Sequence, residues 1–183
     1  SLREFIHCYR ETEGSDLSPS VPMLLPPLEM NCGNEEEGVR AMVAECLGAL
    51  ACLEPKTILP VLQKLATDES EKKVHVRWTV GNAVKFAIGG HISPSELAPF
   101  MPTFVELLKE DDLAVKNVAI LMVYSAVHHA PQLVVGIMKE QILPQLYELA
   151  QLLRVNLRGD RSVAVFLGTK VDKVWTHGVF LAT

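Results

Sequence analysis

Residues 35–60 read EEEGVRAMVAECLGALACLEPKTILP, and this stretch decides the fold. After three acids, apolar residues recur at steps of three and four, which places them on one face of a helix: Val39, Met42, Val43, Cys46, Leu47 and Leu50. Glu54-Pro55 interrupts this pattern, and proline is tolerated in the first turn of a new helix. A second apolar stripe then begins at Ile58. The stretch therefore predicts two amphipathic helices joined by a tight turn, and each needs a packing partner because short helices are marginal alone.

The same arrangement recurs along the chain with a period of roughly forty residues. Prolines stand inside four predicted first helices at spacings of 34, 42 and 42 residues: Pro26, Pro60, Pro102 and Pro144. A valine followed by a base opens three predicted second helices: Val39-Arg40, Val76-Arg77 and Val115-Lys116. A charged turn precedes each second helix: 35–37, 68–73 and 109–112. Helix pairs repeating in this way are typical of HEAT and armadillo solenoids.

Details within the repeat favour HEAT units. Proline in the first helix and the Asp-x-x-Val-Lys opening at 112–116 are typical of HEAT units, whereas the third helix and glycine-rich turn of armadillo units are not evident. We therefore predict an all-α class, an α-α superhelix of about three and a half HEAT units. Glycine tolerates the left-handed cap conformation, so Gly89-Gly90 is expected to end one helix. The predicted helices are 21–31, 36–53, 55–66, 74–88, 94–108, 113–128 and 131–153.

The predicted solenoid segment covers residues 1–153, with 2–11 as the end of an earlier helix, and residues 154–183 form a divergent tail. In the tail, Gly159, Gly168 and Gly178 break the three-to-four spacing. The pieces SVAVFLG and GVFLAT resemble short apolar strands. Three interpretations of the tail remain open: a disordered segment, a strand pair or an aberrant end of the chain.

Composition narrows the class of partner. Aromatic residues make up only 6% of the chain, so burial depends on Leu, Val, Ile and Ala, which suits packed helices. A net charge of −5 argues against nucleic acid, because phosphate binding needs clustered bases. The four cysteines form no C-x-x-C pair, and Cys46 is predicted to be a small buried residue. With no apolar run long enough for a membrane, we expect no membrane partner and a cytoplasmic or nuclear location.

Chemical motifs do not indicate catalysis. Adjacent His128-His129 point about 100° apart on a helix and cannot chelate one metal together, so a helix-end role is predicted. Asp111-Asp112 is interpreted as a helix start, since acids favour that end. Trp78 and Phe86 are predicted core residues, and Gly168-Thr169-Lys170 lacks the upstream glycine of a phosphate loop. We predict a non-enzymatic protein without catalytic residues, cofactor, metal or small-molecule ligand.

The second helices are expected to line the concave side of the solenoid, which usually holds the partner. The candidate protein-binding residues are the predicted exposed positions Arg40, Glu45, Arg77, Lys85 and Lys116. Arg40, Arg77 and Lys116 occupy equivalent places in three units and should form a ladder. Two roles remain open for these bases: pairing with acids of the preceding turn, or contact with a partner.

Several phrases go beyond a general HEAT pattern. They occur in order over about residues 1–152: SLREFI at 1–6, VAECLG at 43–48, AVKF at 83–86, AVHHAP at 126–131 and ILPQLYELA at 142–150. In these phrases the chain resembles the cullin-associated, neddylation-dissociated family, which consists of large all-HEAT regulators of cullin-RING ubiquitin ligases. Members of that family are far longer, so the resemblance implies an internal segment of the C-terminal half. LGTKVD at 167–172 is similar to the family's continuation.

The resemblance implies a partner and a process. The partner is a cullin without its ubiquitin-like modifier, together with its RING subunit, and the process is the exchange of substrate receptors and the assembly of SCF-type ubiquitin ligases. One alternative is a HEAT segment of a nuclear transport receptor or a phosphatase scaffold, which would lack the phrases VAECLG and AVKF in this order. The other alternative is a small helical enzyme or ligand-binding bundle, which would need convergent polar groups in a pocket.

Overall fold

The computed structural model describes residues 4, 6, 8, 9 and 17–156, with side chains described up to Leu149. Four long helices come first: α1 (Val21–Asn31), α2 (Glu37–Leu53), α3 (Pro55–Ala66) and α4 (Lys73–Gly89). They are followed by α5 (Pro94–Leu97), α6 (Met101–Val105), α7 (Leu113–His129), α8 (Val135–Ile137) and α9 (Leu143–Asn156). Every regular element among these residues is helical, which confirms the predicted all-α class.

The helices form two layers. The second helices α2, α4 and α7 each have 17 residues and stack side by side, with α4 between the other two. In the other layer, α1 packs on α2, and α3 packs on α2 and α4 and contacts α5 and α6 of the next unit. This row of stacked pairs confirms the predicted HEAT solenoid, and it differs from the closed bundle that the small-enzyme alternative requires.

The first helices of the third and fourth units are less regular than predicted. The expected helix 94–108 is divided into α5, a 3₁₀ segment at Ala98–Phe100, α6 and a 3₁₀ segment at Glu106–Lys109. The expected helix 131–153 is divided by a π-helix at Met138–Ile142, and its last piece, α9, runs on to Asn156. Proline is the physical reason for the breaks before Met101 and Leu143, because it has no N–H and its ring clashes with the carbonyl four residues earlier.

The four repeat prolines do not all disturb their helices in the same way. Pro26 and Pro60 lie inside the continuous helices α1 and α3. Pro102 and Pro144 are instead each the second residue of a helix that restarts after a 3₁₀ or π segment. The tail beyond Asn156 lies outside the described residues, and so does most of the predicted helix end at 2–11.

Two helix ends can be compared directly with prediction. Asp112 caps α7, since its Oδ1 accepts hydrogen bonds from the backbone N–H groups of Ala114 (2.9 Å) and Val115 (3.1 Å), which confirms the predicted helix start. Helix α4 ends at Gly89, one residue beyond the predicted end at 88, and the left-handed residue is His91, with φ of 63°. The glycine explanation was therefore wrong.

The backbone around His91 accounts for this end. The N–H of Ile92 reaches the carbonyl of Ala87 (3.0 Å), and the N–H of His91 reaches that of Ile88 (3.1 Å). This pair of bonds is the Schellman motif, which needs one left-handed residue after the helix. Ile92 is buried and anchors the motif, so the register of the chain places a histidine in the left-handed position.

Close packing of the second helices depends on two glycines. A Cβ on Gly48 of α2 would lie 2.6 Å from the carbonyl oxygen of Ala83 and from the Cβ of Phe86, both on α4. A Cβ on Gly81 of α4 would lie 2.6 Å from a methyl carbon of Val118 on α7. Real side chains do not approach so closely, so both contacts need glycine.

Leucine and valine of the second helices fill the shared core, and Leu47 and Val80 are fully buried. Cys46 is 4% exposed, as predicted. Within the described part of the chain, no helix is both long enough and apolar enough to cross a lipid bilayer.

Candidate protein-interaction surface

Arg77 lies at a junction between two repeats. Its Nε donates to the carbonyl of Ala66 at the end of α3 (3.1 Å), and its Nη1 donates to Oε1 of Glu110 in the next charged turn (2.9 Å). Its Nη2 donates to Oε1 of Glu69 in the turn of its own unit. Burial by itself would lower the pKa of Arg77, but the two carboxylates hold that pKa above its ordinary value. Arg77 therefore joins two charged turns, and its bond to Glu69 is the first of the two roles left open by the sequence, pairing with an acid of the preceding turn.

Arg40, the equivalent base of the preceding unit, uses different partners. Its Nη1 donates to the backbone carbonyls of Asn34 (2.7 Å) and Glu35 (2.9 Å). Its guanidinium carbon lies 5.1 Å from the ring centroid of Trp78 on α4, which is cation–π geometry. Arg40 thus joins its own turn to the next second helix, through backbone oxygens and an aromatic ring rather than carboxylates.

The expected exposure of these bases was wrong for two of the three. Arg40 is 7% exposed and Arg77 is 6% exposed. Both are buried because each guanidinium sits between stacked repeats, where the neighbouring turn or ring covers it. Lys116 is only partly buried, and the described part of the chain gives it no hydrogen bond or ion pair. The third base therefore keeps its charge open to solvent.

A further ion pair links the charged turns of the first two units. Lys72 Nζ lies 3.1 Å from Glu35 Oε1, and both side chains are exposed. The hydrogen bond from Lys72 is the main reason that the pKa of Glu35 lies below its ordinary value. Exposed pairs of this kind are screened by solvent and contribute little stability. They give the turn edge of the solenoid a mixed charge.

Lys85 and Phe86 form an exposed feature of α4. The Lys85 Nζ donates to Oδ1 of Asn82 (2.7 Å) and lies 4.9 Å from the ring centroid of Phe86. Partial burial lowers the pKa of Lys85 below its ordinary value. Phe86 is 39% exposed, so its assignment to the core was wrong, whereas Trp78 is partly buried against the core. An ammonium beside an exposed ring, without a carboxylate partner in the described residues, is open to an external acid.

We use the name second-helix face for the surface of the second-helix layer around the side chains Met42, Glu45, Lys85, Phe86 and Lys116. Met42 was placed on the buried stripe by its spacing, but it is 53% exposed. Its spacing could not reveal this, because burial on α2 depends on which neighbouring helix covers each side. Glu45 is partly buried, and it completes the set of candidate residues.

Metal-ligating side chains are not brought together in the part of the chain that the structure describes. No cluster of three or more His, Cys, Asp or Glu side chains there could hold a metal ion. Burial raises the pKa of the Cys32 thiol to about 12, so this cysteine is not a nucleophile. The stacked pairs and charged turns define the chain as a HEAT-repeat scaffold, a class whose function lies in its surfaces.

Comparison with known proteins identifies the family to which this scaffold is similar. The chain is 33% identical to Cullin-associated NEDD8-dissociated protein 1 of Arabidopsis thaliana over 150 residues, which is 81% of this chain and 12% of that protein. It is 36% identical to the protein of the same name from Dictyostelium discoideum over 140 residues, 70% of this chain and 11% of that protein. It is 35% identical to Cullin-associated NEDD8-dissociated protein 2 of Mus musculus over 160 residues, 84% of this chain and 13% of that protein.

These similarities confirm the resemblance seen in the sequence. The chain is homologous to a segment of the cullin-associated NEDD8-dissociated proteins and spans 11–13% of the length of these relatives. No protein-family model matches the chain.

Proposed function

We propose that this chain is part of a non-enzymatic HEAT scaffold that binds a cullin. The observation that carries the proposal is the similarity, over most of the chain, to relatives named as cullin-associated. The stacked helix pairs support it, since HEAT solenoids offer extended curved surfaces to other proteins. The proposed location is the cytoplasm or the nucleus, where such a partner would be met.

The second-helix face is the proposed contact surface. The bases Arg40 and Arg77 are occupied between repeats, which leaves Lys85 and Lys116 as the cations of the candidate set that can reach a partner. The Lys85 ammonium lies against Phe86, and aromatic residues are enriched at the centres of protein interfaces. A carboxylate of the partner at Lys85 would form a charge-assisted bond beside the exposed ring of Phe86.

The finer proposal concerns which form of the cullin is bound. The proposed partner is a cullin that lacks its ubiquitin-like modifier and carries its RING subunit. The proposed process is the exchange of substrate-receptor modules during assembly of SCF-type ubiquitin ligases.

A binding titration tests both levels of the proposal. The 183-residue chain would be titrated with a purified cullin–RING complex, unmodified or carrying its NEDD8 modifier. We expect saturable binding to the unmodified complex and at least about tenfold weaker binding to the modified one. Equal affinity for both forms would refute the finer proposal, and absent binding to both would refute cullin binding by this chain.

Charge-reversal variants locate the surface. Lys85→Glu should weaken binding about tenfold, because it places a carboxylate where the partner's acid is expected. Lys56→Glu makes the same charge change on an exposed position of α3 and should leave the affinity unchanged. A thermal melt of each variant separates loss of binding from loss of folding. Equal weakening by both variants would show that the overall charge, and not the second-helix face, determines the affinity.

A further inference from the structure

The outward side of helix α1 is apolar along its whole length. The exposed side chains of this helix form what we call the α1 stripe, since residues three and four apart share one side of a helix: Pro22, Met23, Pro26, Pro27 and Met30. Met23 is 75% exposed and Met30 is 83% exposed. The other side of α1 is apolar too, with Val21 and Leu28 buried in the core. A helix that is apolar all round is normally covered on every side, so the stripe indicates a missing partner.

The other first helices show that this missing partner is not a further repeat. Alignment of the four units on their shared proline places Met30 at three charged and exposed positions: Lys64, Glu106 and Glu148. Met23 aligns with Thr57, which is also exposed. Helix α3 has a unit on each side of it in the row, and its positions 57 and 64 still face solvent. Stacking of repeats therefore leaves these positions open, and only in α1 does a methionine occupy both of them.

The charge around the stripe indicates the chemistry of the partner. Residues 17–38 contain no lysine or arginine, and all their charged side chains are acids: Glu29, Glu35, Glu36 and Glu37. Glu35 pairs with Lys72, whereas the exposed Glu36 and Glu37 make no ion pair within the described part of the chain. These two acids lie just beyond the C-terminal end of α1, where the helix dipole is negative as well. A partner would therefore meet apolar surface and negative charge together.

We propose that the α1 stripe binds a basic amphipathic helix of a partner protein. The apolar side of such a helix would cover Met23, Pro26 and Met30, and its lysines or arginines would reach the acids beyond them. Methionine suits this role because its side chain is flexible and polarizable, and proline loses no side-chain freedom on burial. A second copy of the stripe would bring further acids and no base, so like charges oppose that pairing. The stripe belongs to the first-helix layer and shares no residue with the second-helix face.

A peptide titration tests the proposal directly. The probe is the fluorescein-labelled peptide AKLAKKLAKLAKKLA, whose leucines share one side of a helix. One control peptide has glutamate in place of every lysine, and a second keeps the composition but spreads the leucines around the helix. We expect a saturable rise in the fluorescence anisotropy of the probe as the full chain is added, and at least about tenfold weaker binding of both controls.

Matched variants locate the bound peptide on the chain. Met30→Lys introduces the residue that α3 has at this position, and it should weaken binding about tenfold because it repels the lysines of the peptide. Leu113→Lys makes the same charge change at another exposed apolar side chain, on α7, and should have no effect. Glu36→Gln should weaken binding about threefold, as one solvent-screened charge allows. Glu71→Gln removes an exposed acid from the turn of the second unit and should have no effect. A thermal melt of each variant checks that it folds.

The contrary results are distinct from these. Either control peptide binding as tightly as the probe, or Leu113→Lys weakening binding as much as Met30→Lys, would overturn the proposal. Sedimentation of the chain alone tests the other occupant: a dimer that Met30→Lys converts to a monomer would show that a second copy covers the stripe, which would also overturn it. These measurements contain no cullin, so the cullin titration can fail while the peptide binds, and the reverse result is equally recognisable.

Discussion

Replacing Gly48 by alanine tests how closely the second helices approach. The added Cβ would lie 2.6 Å from the backbone oxygen of Ala83 and 3.1 Å from the backbone nitrogen of Ala87. Ordinary contact begins at 3.4 Å, so α4 must retreat by about 0.8 Å from α2. The obstructing atoms include backbone, which cannot rotate away as a flexible side chain can.

The magnitude follows from two opposing effects. A retreat of this size forfeits a quarter to a half of the dispersion energy of each contact along the interface. Overpacking of this kind typically costs about 1–3 kcal/mol, and backbone obstruction places Gly48 at the upper end. The higher helix propensity of alanine stabilises the folded state by about 1 kcal/mol and offsets part of this cost. The net expectation for Gly48→Ala is a free energy of unfolding lowered by about 2 kcal/mol.

Gly38 provides a control on the same helix. A Cβ there meets nothing within 4 Å, so only the propensity gain remains. Gly38 lies in the first turn of α2, where the propensity difference is smaller than in the helix middle, so Gly38→Ala should raise the free energy of unfolding by at most about 0.5 kcal/mol. Urea titrations followed by far-ultraviolet circular dichroism measure both variants, with unchanged denaturant slopes as the check that the states are comparable. A Gly48→Ala protein as stable as the Gly38→Ala protein would show that α2 and α4 do not pack as described.

Three further predictions concern helix ends and the charged turns. Asp112→Ala should lower the free energy of unfolding by about 1 kcal/mol while Asp112→Asn stays near wild type, since asparagine also caps; a loss of equal size in both would contradict the cap. His91→Gly should raise the thermal midpoint and increase the free energy of unfolding by about 0.5 kcal/mol, because glycine adopts the left-handed conformation without the strain of a Cβ. An equal increase in His91→Ala would exclude this explanation, since alanine keeps the Cβ. The pKa of Glu69 lies below its ordinary value of 4.5, chiefly through its bond from Lys73 and then that from Arg77. The stability contributed by these pairs is therefore complete above pH 4.5 and is lost as the pH falls through the lowered pKa of Glu69. Over this pH range, the free energy of unfolding should fall less steeply for Glu69→Gln than for the wild-type chain.

The features of the fold that could be predicted from the sequence are those that depend on interactions within a few residues. Helices α1 and α3 run over the predicted residues, 21–31 and 55–66, because proline near the start and the three-to-four spacing act within a few residues. The cap at Asp112 is equally local, since the carboxylate bonds N–H groups two and three residues away. The repeat period then indicated that these pairs stack in a row, and homology to the cullin-associated proteins was visible in the same residues.

Only the tertiary structure determined which side chains between the repeats are buried and which are exposed. Arg77 is buried by Glu110, which lies 33 residues away, and no spacing rule connects the two. Met42 and Phe86 share the spacing of core residues, but their exposure depends on which helix lies beside each of them. The α1 stripe likewise depends on which side of that helix its neighbours leave uncovered. Burial is a property of the assembled neighbours, whereas helix formation is a property of the local chain, and this difference separates what could be predicted from what could not.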